Sequence, residues 1–345
     1  MCGIGVWHTY KNPIESSNFG DFMQVIQHRG PDSQARIAIN STLHIGNNRL
    51  SIIDKDNRSN QPFQFKNYTL TFNGAIYNFQ EIRKKLESMG HVFQTESDTE
   101  VLIHAYEAYG TDCTKYLKGM WAFVIYDAEK ELLFMARDPW GIKPFYYLHN
   151  EWGLFIGSEL KQFHSIPEFE VEINQGKVKY FLESGGFKNY DTDTFFNHVH
   201  QLAPNHQCVY YLKKRKFIPE SYQQQAEKVS EDSFSDLINN TVKRYLIADV
   251  EPAVLFSGGI DSSILLYHTL GFKPKTNSYS FIENRNKQLD ETPYIDAFLK
   301  VYPHQNHRVT IPDKLADTIK QCIYFQDEPI ASLSVVAQFL LYKLA

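Results

Sequence analysis

Ala253-Val254-Leu255-Phe256-Ser257-Gly258-Gly259-Ile260-Asp261-Ser262-Ser263 decides how the second half of this chain is read. Four apolar residues make a short buried strand, and Ile264-Leu265-Leu266-Tyr267 begins a helix that ends at Gly271. The paired glycines between them let the backbone approach a phosphate closely, and the helix start offers unpaired N–H groups and a positive dipole end. Ser257, Ser262 and Ser263 add hydroxyl donors, and Asp261 is placed to hold a magnesium ion bridging phosphates. The loop lacks the lysine of the GxxxxGK[ST] pattern, and a tight turn closing a strand is the plainer alternative. Ser184-Gly185-Gly186-Phe187 repeats the SGG triplet without a preceding buried strand or a following Asp-Ser-Ser, so it is set aside.

Outward from that loop, the second half keeps one rhythm. Phe234, Leu237, Ile238, Val242 and Tyr245 mark one face of a helix, with Ser230 as its expected N-cap and Glu231 and Asp232 in the first turn. Strands are expected at 277–282 and 307–311, with a helix at 292–301 between them. This βαβ alternation predicts a parallel sheet covered by helices. The first half differs. Tyr68-Thr69-Leu70-Thr71-Phe72 reads as a strand running into Asn73-Gly74, a turn dipeptide. Segments 121–126 and 132–136 read as a hairpin over Asp127 to Lys130, and 99–109 has helical spacing. Lys213 to Lys228 is polar and reads as a linker, beginning with a short solvated cluster at Lys213, Lys214, Arg215 and Lys216.

The other informative feature is Cys2, followed by Gly3-Ile4-Gly5. Removal of Met1 would leave a thiol and a free α-amino group on one residue, a nucleophile with its base already attached. The bounds fit a globular protein of about two domains: 345 residues, 43% hydrophobic, 22% charged, net charge -5. No basic stripe suits nucleic acid, and no apolar run approaches the ~20 residues needed to span a bilayer. Cys2, Cys113, Cys208 and Cys322 are far apart, without a CxxC pair. They read as reduced thiols, and the chain is expected to be cytoplasmic.

Taken together, these motifs resemble a known pairing. SGGIDSS after a buried strand is similar to the pyrophosphate loop of the ATP-pyrophosphatase superfamily. Cys2-Gly3-Ile4, His28-Arg29-Gly30-Pro31-Asp32, Arg49 to Asp54, Asn73-Gly74 and Ser97-Asp98 resemble the glutaminase domain of class II amidotransferases, as do Ala136 to Pro144 and Gly157 to Lys161. Both in this order resemble the glutamine-hydrolysing asparagine synthetase family. The resemblance implies an N-terminal Ntn-type αββα sandwich (α+β) over 2–212 and a linker over 213–228. The N-terminal part of a parallel-sheet α/β nucleotide-binding domain would follow over 229–345. It further implies that Cys2 attacks the glutamine amide, with the Asn73 side chain and the Gly74 N–H as oxyanion donors. Glutamine would be held by Arg49 at its α-carboxylate, by Leu50, Ser51, Ile52 and Ile53, by Asn73, Gly74 and Ala75, and by Asp98 at its α-ammonium. ATP would lie against Leu255, Ser257, Gly258, Gly259, Asp261, Ser262 and Phe281, with Mg2+ at Asp261. The substrates implied are glutamine, aspartate and ATP, in a homodimer that engages no nucleic acid or membrane.

Several residues carry a plainer reading. Arg29 and Asp32 fit a structural role in the RGPD turn, and Asp290-Glu291 and Asp327-Glu328 read as caps at helix starts. His28 and His307 have no second metal ligand at suitable spacing. The pattern also departs from the family. Ala75 stands where relatives have a glutamate that helps hold the α-ammonium, Ser332 replaces an acid, and a second glycine-rich loop, SGxGxDE, is absent before Ala345. A C-terminally truncated synthetase half behind a full glutaminase half is therefore expected. Amidation of another carboxylate, or glutaminase activity alone, stays open.

Overall fold

The computed structural model describes residues 1–167, 169–187, 192–224 and 233–345. Two units are distinguished, Met1–Glu227 and Lys228–Ala345. The first contains strands β1 (Gly3–Thr9), β2 (Ser33–Asn40), β3 (Leu43–Arg49), β4 (Phe63–Phe65), β5 (Tyr68–Ile76) and β6 (Gly119–Asp127). Then come β7 (Leu132–Arg137), β8 (Tyr146–His149), β9 (Gly153–Gly157), β10 (Val199–Gln201), β11 (His206–Tyr211) and β12 (Glu220–Ser221). Its helices are α1 (Ser16–Gln24), α2 (Phe79–Ser88), α3 (Asp98–Tyr109) and α4 (Gln175–Ser184).

Among the described residues these strands form two antiparallel sheets, ordered β10-β8-β9-β1-β3-β2 and β12-β11-β7-β6-β5-β4. Period-2 alternation sorts the side chains between layers. On β1, Ile4 and Val6 join Leu43, Ile45, Val124, Met135 and Tyr210 in the core between the sheets. Trp7 belongs to the opposite face, edge-on to Phe19, Phe22 and Phe155 at 5.3–5.7 Å. That face is covered by α1. On the far side of the second sheet, Tyr106 of α3 stacks on Phe134 at 5.3 Å. The result is an αββα sandwich, as the sequence led us to expect.

One local expectation fails. Asn73-Gly74 is no turn: β5 runs straight through it, with Asn73 paired to Ala122 and Gly74 to Trp121. Full pairing with β6 overrides the dipeptide's turn preference. Glycine is required at 74 by close approach, since a Cβ would sit 2.3 Å from Met120 O. The expected helix and hairpin do form, as α3 and as β6–β7, and Ser97 caps α3 by accepting from the Glu100 N–H at 3.2 Å. Inside the stretch read as linker, β12 pairs with β11, extending the second sheet. Residues 225–228 of that stretch lie outside the described residues.

The second unit contains α5 (Phe234–Tyr245), β13 (Ala253–Leu255), α6 (Ile260–Phe272), β14 (Asn277–Ile282), α7 (Thr292–Val301), β15 (Asn306–Thr310), α8 (Leu315–Gln326) and α9 (Leu333–Leu344). The strands pair in parallel in the order β13-β14-β15. Val254, Phe256, Leu266 and Ile295 form a small core among sheet, α6 and α7. The observed N-cap of α5 is Ser233, which accepts from the Asp236 N–H at 3.2 Å and donates to its carboxylate at 2.6 Å. This corrects the placement at Ser230, which lies outside the described residues together with Glu231 and Asp232. No helix among the described residues is long and apolar enough to cross a membrane.

Candidate active site

Cys2 leads into β1 and Leu50 follows β3, so the antiparallel register Gly3↔Asn48 brings them together across 48 positions of sequence. The Leu50 N–H donates to Cys2 Sγ at 3.4 Å, and the thiol lies 3.6 Å from Leu50 O. Behind the cysteine, Arg29 Nε donates to Cys2 O at 2.9 Å while Nη1 pairs with Glu159 Oε1 at 2.9 Å. His28 Nε2 reaches the same oxygen at 2.9 Å, and Lys161 pairs with the other. Burial alone would raise the Glu159 carboxyl, but His28, Lys161 and Arg29 together hold it at about 2. Asp32 accepts the Ser51 N–H at 2.7 Å. Arg29 and Asp32 thus position Cys2 and the Leu50 loop, in keeping with the structural reading of the turn.

The ionisable groups around the thiol are unusual. Burial pushes the Cys2 thiol up, partly countered by the Leu50 N–H, the terminal amine and Arg49. The terminal amine is pushed down to about 6, chiefly by burial, so it is largely neutral at pH 7 and able to accept a proton. That amine belongs to Met1, whose side chain is exposed; loss of Met1 would transfer it to Cys2. Asp98 is fully buried and raised to about 6 by burial, despite hydrogen bonds that include the Ile76 N–H at 2.9 Å. It makes no ion pair among the described residues. With a folded pKa above its unfolded 3.8, Asp98 contributes stability below pH 3.8 that is lost as pH rises through about 6. Ionised at neutral pH, it costs the fold on the order of 3 kcal/mol.

Cys2, Arg49, Leu50, Ile52, Ile53, Gly74 and Asp98 line one cavity of about 20 Å³, room for roughly one water. Glutamine therefore fits only when part of this lining opens. Ser51, Asn73 and Ala75 are not in the lining. Ser51 is engaged by Asp32, and Ala75 is buried opposite Met120. The Asn73 amide is 1% exposed, and neither its oxygen nor its nitrogen has a hydrogen-bond partner among the described residues. Arg49 lines the cavity with its guanidinium engaged by the protein itself: it donates to Asn60 Oδ1 at 2.7 Å, to Asp56 O at 3.2 Å, and to the carbonyls of Ile53 and Asp54. It thereby folds the 53–60 loop over the site. Gln61, Phe72 and Thr99 also line the cavity. Sequence reading missed them, and only the Gln61 bonds to the Phe72 N–H (2.7 Å) and Thr99 Oγ1 (3.4 Å) show why they gather.

In the second unit, Gly258 turns the chain at φ +85°, a conformation that favours glycine, and Gly259 is the N-cap of α6. Ser257 Oγ lies 3.1 Å from Ser262 Oγ and accepts the Gly259 N–H at 3.2 Å, so the loop is held by its own hydroxyls. Asp261 is exposed in the first turn, while Leu255 and Phe281 are half-buried on adjacent strands β13 and β14. Hydroxyls and a helix N-terminus are groups that would suit a polyphosphate, and the exposed Asp261 carboxylate beside them would be free to hold a divalent cation. The discounted SGG behaves differently: Gly185 is the C-cap of α4. Asp290 accepts the Thr292 N–H at 3.0 Å at the start of α7, as read, whereas Asp327 is the C-cap of α8 in a left-handed conformation, which corrects the reading of that pair as a cap at a helix start.

Comparison with known proteins agrees with this division. Residues 1–223 match the family model described as glutamine amidotransferase domain, and residues 233–345 match that of asparagine synthase. Asparagine synthetase [glutamine-hydrolyzing] 1 of Bacillus subtilis is 30% identical, covering 99% of this chain and 55% of that protein. Asparagine synthetase [glutamine-hydrolyzing] 3 of the same organism is 28% identical over 95% of this chain and 57% of its own length. Amidase chyE of Penicillium rubens is 33% identical over 76% of this chain and 42% of its own length. The chain thus spans a little over half the length of the two synthetases. With an N-terminal cysteine site on an αββα sandwich and a family match across two thirds of its residues, the chain belongs to the glutamine amidotransferase domain family, and its remaining segment matches the asparagine synthase family.

Proposed function

We propose that this chain hydrolyses glutamine at Cys2 and, through its second unit, uses the ammonia for ATP-dependent amidation of aspartate to asparagine. The thiol attacks the side-chain amide carbon, its proton passing to the α-amine exposed by loss of Met1. The C–N bond breaks and ammonia leaves with that proton, and water then hydrolyses the thioester to glutamate. Asn73 Nδ2 and the Gly74 N–H stabilise the oxyanion. Asp98 receives the α-ammonium, and Arg49 with the Leu50–Ile53 segment and Ala75 completes the pocket. The single observation that carries this reading is a cysteine thiol sharing a cavity with a buried carboxylate that makes no ion pair among the described residues. In the second unit, Ser257, Gly258, Gly259 and Ser262 hold the phosphates and Asp261 a magnesium ion, with Leu255 and Phe281 against the nucleoside. ATP supplies the activating group, forming an aspartyl-adenylate and pyrophosphate; ammonia displaces AMP. A glutaminase domain over 2–212, a linker over 213–228 and a synthetase segment over 229–345, in a cytoplasmic homodimer, complete the proposal. The similarity to a protein titled an amidase keeps amide hydrolysis alone, a glutaminase without a synthetase step, as the second reading.

The test is one reaction with glutamine, aspartate, ATP and magnesium, scored by mass spectrometry. Matched glutamate, AMP and asparagine would support the full proposal. Glutamate without AMP would confine the activity to the first unit, and no glutamate would overturn the proposal. The Asp98 assignment has its own signature. Since the α-ammonium pairs only with ionised Asp98, glutamine affinity in a Cys2→Ala background should fall about tenfold per pH unit below pH 6. Calorimetry should show this slope, and Asp98→Asn should flatten it while weakening binding. A flat profile with Asp98 intact would contradict the assignment.

A further inference from the structure

Away from the cysteine, His91 on the α2–α3 loop faces His104 and Glu107 on α3, and their ligand atoms lie within 4.8 Å of one another. His91 Nδ1 is 2.9 Å from His104 Nδ1 and 3.4 Å from Glu107 Oε2, with His104 Nδ1 4.0 Å from the same oxygen. A tetrahedral ion with bonds of about 2.0–2.1 Å has ligand edges of about 3.3–3.4 Å, which these separations bracket. The second shell is suited too. His104 Nε2 makes no hydrogen bond among the described residues but lies 3.7 Å from Glu100 Oε1, a negative charge that draws the proton to Nε2 and leaves the Nδ1 lone pair toward His91 and Glu107. Phe65 and Phe93 rings flank the His104 ring at 4.1 and 4.4 Å and fix its orientation. Lys66 pairs with Glu107 Oε1, whereas Oε2 is buried with no hydrogen-bond partner among the described residues. An open cleft of about 500 Å³ lined by Phe65, His91, His104 and Glu107 gives an entry path.

We propose that His91, His104 and Glu107 bind a divalent first-row metal ion, zinc by the fit of two imidazoles and one carboxylate, with water in the fourth position. Bound there, the ion would staple the loop before Asp98 to α3. A simple hydrogen bond between two neutral imidazoles is the competing account, and it leaves Glu107 Oε2 without a role. The sequence reading weighed only His28 and His307 as metal ligands and passed over His104 and Glu107, one helical turn apart on α3, and His91, 13 positions before His104.

Equilibrium dialysis of the full chain with zinc, and visible absorption after cobalt(II) substitution, test the site. One ion per chain is expected, with the intense absorption of low-coordinate cobalt. His91→Ala and Glu107→Gln should each weaken binding by at least about 100-fold, the upper range for losing a mere outer partner of a ligand. Glu107→Gln, a near-isosteric change, keeps the test valid if His91→Ala fails to fold. Cys2→Ala should bind the ion like the wild type, which separates this site from the cysteine site. Absence of a retained ion, or retention unaffected by Glu107→Gln, would overturn the proposal.

Discussion

Cys2→Ala should abolish glutamine hydrolysis, lowering the rate at least about 10⁴-fold, the scale on which loss of a covalent nucleophile acts. The fold should persist. The side chain is small, and Cys2's structural anchors are backbone contacts: its carbonyl to Arg29, and the pairing of Gly3 with Asn48. An alanine removes only the Sγ contacts to Leu50. Circular dichroism and thermal melting should therefore match the wild type while glutamate release vanishes. Residual activity near the wild-type level would remove Cys2 from the mechanism.

Asn73→Ala is the second large expected effect. A buried amide with both ends unpaired costs the folded state about 1–3 kcal/mol per unmade hydrogen bond. Such a group persists where another state of the protein uses it, and in the proposed mechanism that state is the tetrahedral oxyanion. Loss of one oxyanion donor typically lowers kcat about 10²–10³-fold. Alanine should thus cut kcat on that scale, with KM for glutamine little changed and the melting midpoint at or above wild type, because the unpaired amide is gone. A large fall in stability with kcat preserved would assign Asn73 to packing instead.

Much of the molecule was legible in the sequence where local rules and tertiary structure agree. The βαβ rhythm of the second half, the helix at 98–109 and the hairpin at 119–137 follow from periodicity and turn residues. The two SGG triplets were separable because only Ser257-Gly258-Gly259 follows a buried strand. Local rules failed at Asn73-Gly74, where nine consecutive pairs with β6 outweigh a turn preference. They failed again at Ser230, where Ser233 supplies a cap with a carboxylate three residues on. The site itself was legible by residue type at Cys2, Arg49 and Asp98. Its closure was not. That Arg49 is engaged by the 53–60 loop, and that Gln61 and Thr99 meet at the cavity, depends on contacts between distant segments that no window of sequence displays.

The most direct test of the central claim is covalent. The wild-type chain would be treated with an electrophilic glutamine analogue and the labelled residue mapped by peptide mass spectrometry. The account predicts a single label on Cys2, at the chain's N-terminus after loss of Met1, blocked by excess glutamine. Labelling of Cys113, Cys208 or Cys322 in place of Cys2, or no label on the folded chain, would contradict it.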